Sequence, residues 1–196
     1  MKKNLVRFVV TAVLAAVVLI LQWFVGGVTF GGFTFTFTLV PIILGAVLYG
    51  PGVGAILGCV FSLAVVGQIV TGAIDLGSLT MFAQNPFATV AIVLVKGTAA
   101  GAVAGFISKA LSQKNLKLSV VLSAIAAPLT NTGIFLLGFC TVFSNLLTDW
   151  TAANGFANAF VFIFAGLVGL NFVIELALDL LLVPAILTVI KAVTKK

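Results

Sequence analysis

Between Arg7 and Lys96 the chain carries a single charged residue, Asp75. No water-soluble fold of this size hides so long an uncharged, apolar stretch, because an ordinary soluble domain is roughly a quarter charged. Here only 7% of 196 residues are charged, 62% are hydrophobic and the mean hydropathy is +1.35, so lipid must be the solvent for most of the surface. In lipid every backbone polar group has to be satisfied internally, and runs of this length do so as helices. The expected fold is an all-α membrane protein, one domain over 1–196, with six transmembrane helices in a compact bundle. The spans are expected at about Leu5–Val25, Phe35–Tyr49, Pro51–Val66, Pro86–Leu111, Leu118–Asn145 and Ala157–Val193. Lys2, Lys3 and Arg7 before an apolar run resemble a signal peptide, but the run is long enough to span and no small-x-small cleavage site follows it.

The net charge of +6 is not a nucleic-acid signal. Every cation except Lys96 stands at a helix end or in a short loop, which is the cytoplasmic-retention pattern of membrane proteins. With the N-terminus inside, Lys2, Lys3, Arg7, Lys109, Lys114, Lys117, Lys191, Lys195 and Lys196 are all cytoplasmic. The outside connections then hold only Asp75 and Asp149, and both termini are expected in the cytoplasm. Trp23 and Trp150 fall at the outer interface. There is no histidine, which excludes Ser-His-Asp, Cys-His and H-E-x-x-H chemistry. Cys59 and Cys140 follow no metal spacing and read as two separate thiols. No enzyme activity, cofactor or metal is expected.

Three runs of small residues allow helices to approach closely where lipid supplies no hydrophobic drive. Gly97, Gly101 and Gly105 form one ridge, and Gly50, Gly54 and Gly58 a second. Both are expected inside the bundle. Ala12 and Ala16, with Ala15 beside them, form an A-x-x-x-A ridge that faces either the bundle or another protein.

Charges at membrane depth cost at least ~2.5–3.5 kcal/mol and need partners or water. Lys96, Asn131 and Glu175 stand at similar distances outward of Lys109, Lys117 and Lys191, so three helices bring them to one depth. Asn171, Glu175 and Asp179 share a helix face by their spacing. One reading is a structural Lys96–Glu175 ion pair; the other is the floor of a cavity open to the outside. The two are not exclusive. Gln84 and Asn85 are expected at its rim. The alternation Phe33-Thr34-Phe35-Thr36-Phe37-Thr38 suits an extended piece with phenylalanines on one side, Phe37 among them. Trp150 belongs to a third polar and aromatic outer connection.

Several pieces together carry a resemblance: Pro41 to Ala46 with Tyr49-Gly50-Pro51-Gly52, then Asn85-Pro86, and Lys96-Gly97 running to Gly105. They continue with Leu129-Thr130-Asn131-Thr132 and with Asn171 through Glu175 to Val183-Pro184-Ala185. In that order and frame the chain resembles the substrate-binding S-components of energy-coupling factor (ECF) vitamin transporters. Lys96 stands where many relatives carry arginine. The resemblance implies a six-helix subunit of an ABC-type importer in the bacterial cell membrane, binding a B-group vitamin or related small molecule near the outer face. It implies a transmembrane coupling protein and two cytoplasmic ATPases as partners, docked on Ala12 and Ala16. The chain has no G-x-x-x-x-G-K-[ST] loop to use ATP itself. The expected ligand-binding residues are Lys96, Asn131, Asn171, Glu175, Gln84, Asn85, Phe37 and Trp150, with a pantothenate-like ligand. The alternatives are an ion-coupled secondary transporter and a small channel or scaffold whose polar residues are structural.

Overall fold

The computed structural model describes residues 2–24, 29–30, 33–34 and 37–194. Helix α1 (Lys2–Phe24) leads to a short antiparallel pair, β1 (Thr29–Phe30) and β2 (Phe33–Thr34). Then come α2 (Leu39–Tyr49), α3 (Pro51–Thr71), α4 (Leu76–Gln84), α5 (Pro86–Leu111), α6 (Leu116–Val142) and α7 (Ser144–Ala153). The C-terminal part runs through α8 (Ala159–Val161), a π-helical stretch (Phe162–Leu167), α9 (Gly169–Leu181) and α10 (Val183–Thr194).

Local chemistry sets these boundaries. Asn85 accepts a hydrogen bond from the Ala88 N–H at 3.1 Å and Pro86 follows, so α5 starts with a cap and a pre-set φ. Asn115 caps α6 through the Leu118 N–H, and Asp75 caps α4 through the Ser78 N–H. Gly50, at φ +85°, makes the reversal from α2 to α3, a backbone state that residues with a Cβ rarely adopt.

Among the described residues four helices are long and apolar enough to cross a bilayer: Asn4–Phe24, Pro51–Thr71, Pro86–Leu111 and Leu116–Val142. Ala159–Leu167 and Asn171–Leu181 make a fifth if taken together across their 44° bend. The chain is a multi-pass membrane protein. Two expected spans are not single straight helices. The eleven residues of α2 cover about 16 Å at 1.5 Å per residue, about half a hydrocarbon core. The stretch 157–193 is broken by the wide π turn and again at Leu182. A Cβ on Gly169 would meet the Phe164 carbonyl, so the backbone itself folds closely there. Helix α3 runs on past Val66 to Thr71, and α6 stops at Val142 before a separate α7. Val25, where the first span was expected to end, lies outside the described residues, as do Phe35 and Thr36 of the alternating segment.

The glycine ridges are the spine of the bundle. Helices α3 and α5 run antiparallel with Gly54 against Gly101, Gly58 against Gly97 and Gly105 against Pro51. Backbones in contact gain dispersion and weak Cα–H···O interactions that larger residues would forbid. The α5–α6 pair is clasped by serines: Ser123 donates to the Ala104 carbonyl at 2.9 Å, and Ser119 lies 3.2 Å from the Ser108 hydroxyl. Helix α1 packs on the edge of this core with Leu14, Val18 and Gln22, one turn apart. Ala12 and Ala16 point away from it and are exposed, while Ala15 is partly buried against the core.

A candidate ligand-binding cavity

A cavity of about 640 Å³ lies at the end of the bundle away from the turn that carries Lys114 and Lys117. The C-terminal half of α3 supplies Phe61, Val65 and Ile69, and α4 supplies Ser78 and Met81. Helix α5 supplies Thr89 and Lys96, and α6 supplies Asn131, Thr132 and Phe135. The π turn and α9 close the wall with Gly166, Asn171, Phe172 and Glu175. The π stretch and the residue after it therefore have a positional consequence: Gly166, Leu167 and Val168 belong to the cavity wall.

Four of the expected residues meet here: Lys96, Asn131, Asn171 and Glu175. The Lys96 ammonium sits 5.2 Å from the centre of the Phe135 ring, a cation–π distance. Glu175 and Asp75 are the carboxylates that line the same cavity. Asn131 is only 8% exposed, and its Oδ1 is buried without a hydrogen-bond partner among the described residues. The Oδ1 of Asn171 is in the same condition. A buried amide oxygen left unpaired costs about 1–3 kcal/mol, so a hydrogen-bond donor brought to either one would be stabilising.

Gln84, Asn85, Phe37 and Trp150 do not line the cavity. Gln84 is exposed at the end of α4, and the Asn85 side chain is spent on capping α5. Phe37 is half-buried just ahead of α2. Trp150 packs 5.6 Å from Phe139, and a Cβ on Gly77 would meet its ring at 3.2 Å, so it pins α4 to α6. Phe135, Phe139 and Phe143 stack beside it in a ladder at 5.8 and 6.2 Å.

Sequence reasoning missed Gln22, Gln68 and Thr38, which are 4%, 3% and 1% exposed. Gln22 Nε2 donates to Gln68 Oε1 at 2.8 Å, and Gln68 Nε2 donates to the Gln22 carbonyl at 3.0 Å. The Thr38 hydroxyl donates to Gln22 Oε1 at 3.2 Å. This clip ties α1, α2 and α3 together beside the cavity, which Gln22 also lines. The available signal was a glutamine near the end of an otherwise apolar helix. Gln68→Leu is expected to lower stability by about 2 kcal/mol, because it strands polar groups of Gln22 in a dry place. A melting curve in detergent reads this, and an unchanged midpoint would count against the clip. Asp75, also in the lining, has one oxygen held by the Ser78 N–H at 2.9 Å and the other by the Ser78 hydroxyl at 2.8 Å. No group of three or more His, Cys, Asp or Glu side chains gathers among the described residues to hold a metal.

A family model described as the substrate-specific component of the ECF transporter matches residues 6–187. The chain belongs to that family. As an ECF substrate-specific component it is a transporter subunit, with a small-molecule substrate and an association with the ECF module. No curated protein and no solved structure matched the chain. The identity of this S-component's ligand therefore has to be argued from the cavity.

Proposed function

We propose that this S-component captures a small carboxylic acid of the B-vitamin type, pantothenate being the best fit, from outside a bacterial plasma membrane. The observation that carries the reading is the convergence of α5, α6 and α9 on one cavity holding a cation and two unpaired amide oxygens. Lys96 suits a carboxylate through a charge-assisted hydrogen bond. The Oδ1 atoms of Asn131 and Asn171 suit hydroxyl or amide N–H donors. Pantothenate offers an acid, two hydroxyls and an amide N–H. Phe61, Phe135 and Phe172 supply the apolar surface that small-molecule sites need. Extraction of the protein purified from native membranes, followed by mass spectrometry, identifies what it carries. Calorimetry with pantothenate is expected to give tight binding. An empty protein that takes up neither pantothenate nor any other vitamin of the group would defeat the proposal.

In this reading the chain is one membrane unit that crosses six times, α2 and the broken C-terminal region each counting as one. Both termini are cytoplasmic, and the cavity faces outward. The support is the confinement of Arg7, Lys109, Lys114, Lys117 and Lys191 to one side of the chain's path. Single cysteines placed at Lys2 and Lys191, in a chain freed of Cys59 and Cys140, are expected to resist an impermeant thiol reagent in whole cells. Strong labelling from outside would overturn the topology.

A transmembrane coupling protein and two cytoplasmic ATPases supply the work, and Ala12 and Ala16 form the contact with them. The exposure of both residues on α1 supports that reading. Ala12→Trp and Ala16→Trp are expected to leave pantothenate binding by the isolated subunit within about twofold and to abolish uptake, because an indole on a small-residue ridge blocks close helix approach. Loss of folding or of binding in these variants would place the ridge in the bundle instead.

A further inference from the structure

Lys96 reaches the cavity on a flexible four-carbon stem, so its own helix does not fix where the charge lies. The ring of Phe135 stands there instead, its centre 5.2 Å from the ammonium. We propose that Phe135 is a positioning residue for Lys96, and that through it the cavity distinguishes an acid from the neutral analogue of the same shape. The inference rests on the reading that Lys96 takes the ligand's carboxylate.

The two residues face each other because α5 and α6 are locked one turn away. A Cβ on Gly138 would collide with the Ile92 side chain, so Ile92 fills the space that the glycine leaves. Ile92 stands one turn before Lys96 on α5, and Gly138 one turn after Phe135 on α6, so on antiparallel helices both pairs share one interface. The ring itself is braced. It stacks on Phe139 at 5.8 Å with the planes 14° apart, and Phe139 is fully buried. Phe139 is held in turn by Phe143 at 6.2 Å and by Trp150 at 5.6 Å. Phe135 is therefore the cavity end of an aromatic ladder rooted in the core, and Lys96 meets a ring that does not swing away. Among the described residues no other ring lies under the ammonium.

A ring does for a cation what a carboxylate cannot. A carboxylate that held Lys96 would cancel its charge and occupy its N–H groups. The face of Phe135 attracts the ammonium through its quadrupole, carries no net charge and takes no conventional hydrogen bond. It therefore leaves the ammonium's donors to other acceptors, a ligand carboxylate among them. A cation placed before the ligand arrives also lowers the ordering cost of binding. Asn131 lies one turn before Phe135, so its buried Oδ1 and the ring share a face of α6. One helix thus sets both the acceptor for a ligand donor and the place of the cation that takes the acid.

Calorimetry on the full chain compares pantothenate with pantothenol, the same molecule with a primary alcohol in place of the carboxylate. Wild type is expected to prefer the acid by about 100-fold, a charge-assisted contact against a neutral one. Phe135→Leu should weaken both ligands, because a ring leaves the wall, but the acid more, so that the preference falls to about tenfold. Phe135→Tyr keeps a ring face and should keep the preference within about twofold of wild type. Phe172→Leu removes a ring from the same wall but not from the ammonium, and should weaken both ligands alike. If Phe135 only fills space, Phe135→Leu will also weaken both alike, and that result overturns the inference. Wild type with no preference for the acid overturns it as well, together with the role of Lys96 in binding, so the wild-type ratio tells the two failures apart. A second readout needs neither a ligand nor a variant at Phe135. In ligand-free wild type carrying 13C-labelled lysine, the Lys96 ε-protons, assigned by their loss in Lys96→Arg, should resonate upfield of those of the other lysines, because they lie over a ring face. An unshifted Lys96 signal means that the ammonium does not stay at the ring, and the inference fails whatever the ligand.

Discussion

Gly54→Leu and Gly101→Leu are each expected to yield no recoverable folded protein. A Cβ on Gly54 meets the Gly101 carbonyl, and one on Gly101 meets the Gly54 carbonyl. Neither obstacle is a side chain that turns aside; both are helix backbone. The only relief is to move α3 away from α5, and that opens the neighbouring contacts at Gly58–Gly97 and Gly105–Pro51 as well. Overpacking a core normally costs about 1–3 kcal/mol. Here even Gly54→Ala is expected at or above the upper end of that range, against a typical total stability of about 5–15 kcal/mol. Gly133→Ala is the matched control. Nothing lies within 4 Å of its added methyl, so helix propensity alone should raise stability by up to about 1 kcal/mol. Size-exclusion profiles and detergent melting curves read both. A Gly101→Leu protein that elutes as a monodisperse peak and melts within a few degrees of wild type would disprove the α3–α5 packing.

The same ridges explain why much of the bundle was legible in the sequence. A four-residue glycine repeat on two long apolar runs has one economical use in lipid, and Asn85-Pro86 marks the start of α5 by cap and ring chemistry that any helix obeys. The α2–α3 turn was equally readable from Tyr49-Gly50-Pro51. Composition could not disclose the broken C-terminal region. Phe160 to Leu170 is an unbroken apolar run, and its π turn is set by close packing around Gly166 and Gly169 rather than by a proline. Nor did composition reveal that the connections expected outside carry α4 and α7. Asp75 and Ser78 are an ordinary capping pair, but their surroundings are polar enough to read as loop.

The candidate site divides along similar lines. Depth counting brought Lys96, Asn131 and Glu175 together because α5 and α6 are long helices with one rise per residue, and depth survives packing. The rim residues were assigned by position alone. Asn85 and Trp150 turned out to have local work, a cap and a ring contact, that competes for the same atoms. The Gln22–Gln68 clip joins residues far apart in sequence, and no local pattern announces such a pair.

Asn131→Leu is expected to separate ligand binding from folding more cleanly than any other change in the cavity. The native Oδ1 is buried and unpaired, so its replacement by a similar apolar volume removes a penalty; stability should be unchanged or higher by about 1 kcal/mol. Binding should suffer, because the donor of the bound acid loses its acceptor in a dry place. A loss of about 2 kcal/mol corresponds to roughly a 30-fold weaker Kd for pantothenate. Lys96→Met should cost more, about 100-fold, because the carboxylate then enters without a counter-charge. It also removes the cation that shares the cavity with Glu175, so lower stability is expected in the single variant. The double variant, Lys96→Met with Glu175→Leu, distinguishes the two uses of the lysine. If Lys96 holds the ligand, the double variant recovers the wild-type melting midpoint and still fails to bind pantothenate in calorimetry. If Lys96 serves only Glu175, it recovers both. Should folded Asn131→Leu protein bind as tightly as wild type while the double variant regains binding, neither residue touches the ligand, and the cavity has lost its cation and one of its two acceptors as points of recognition.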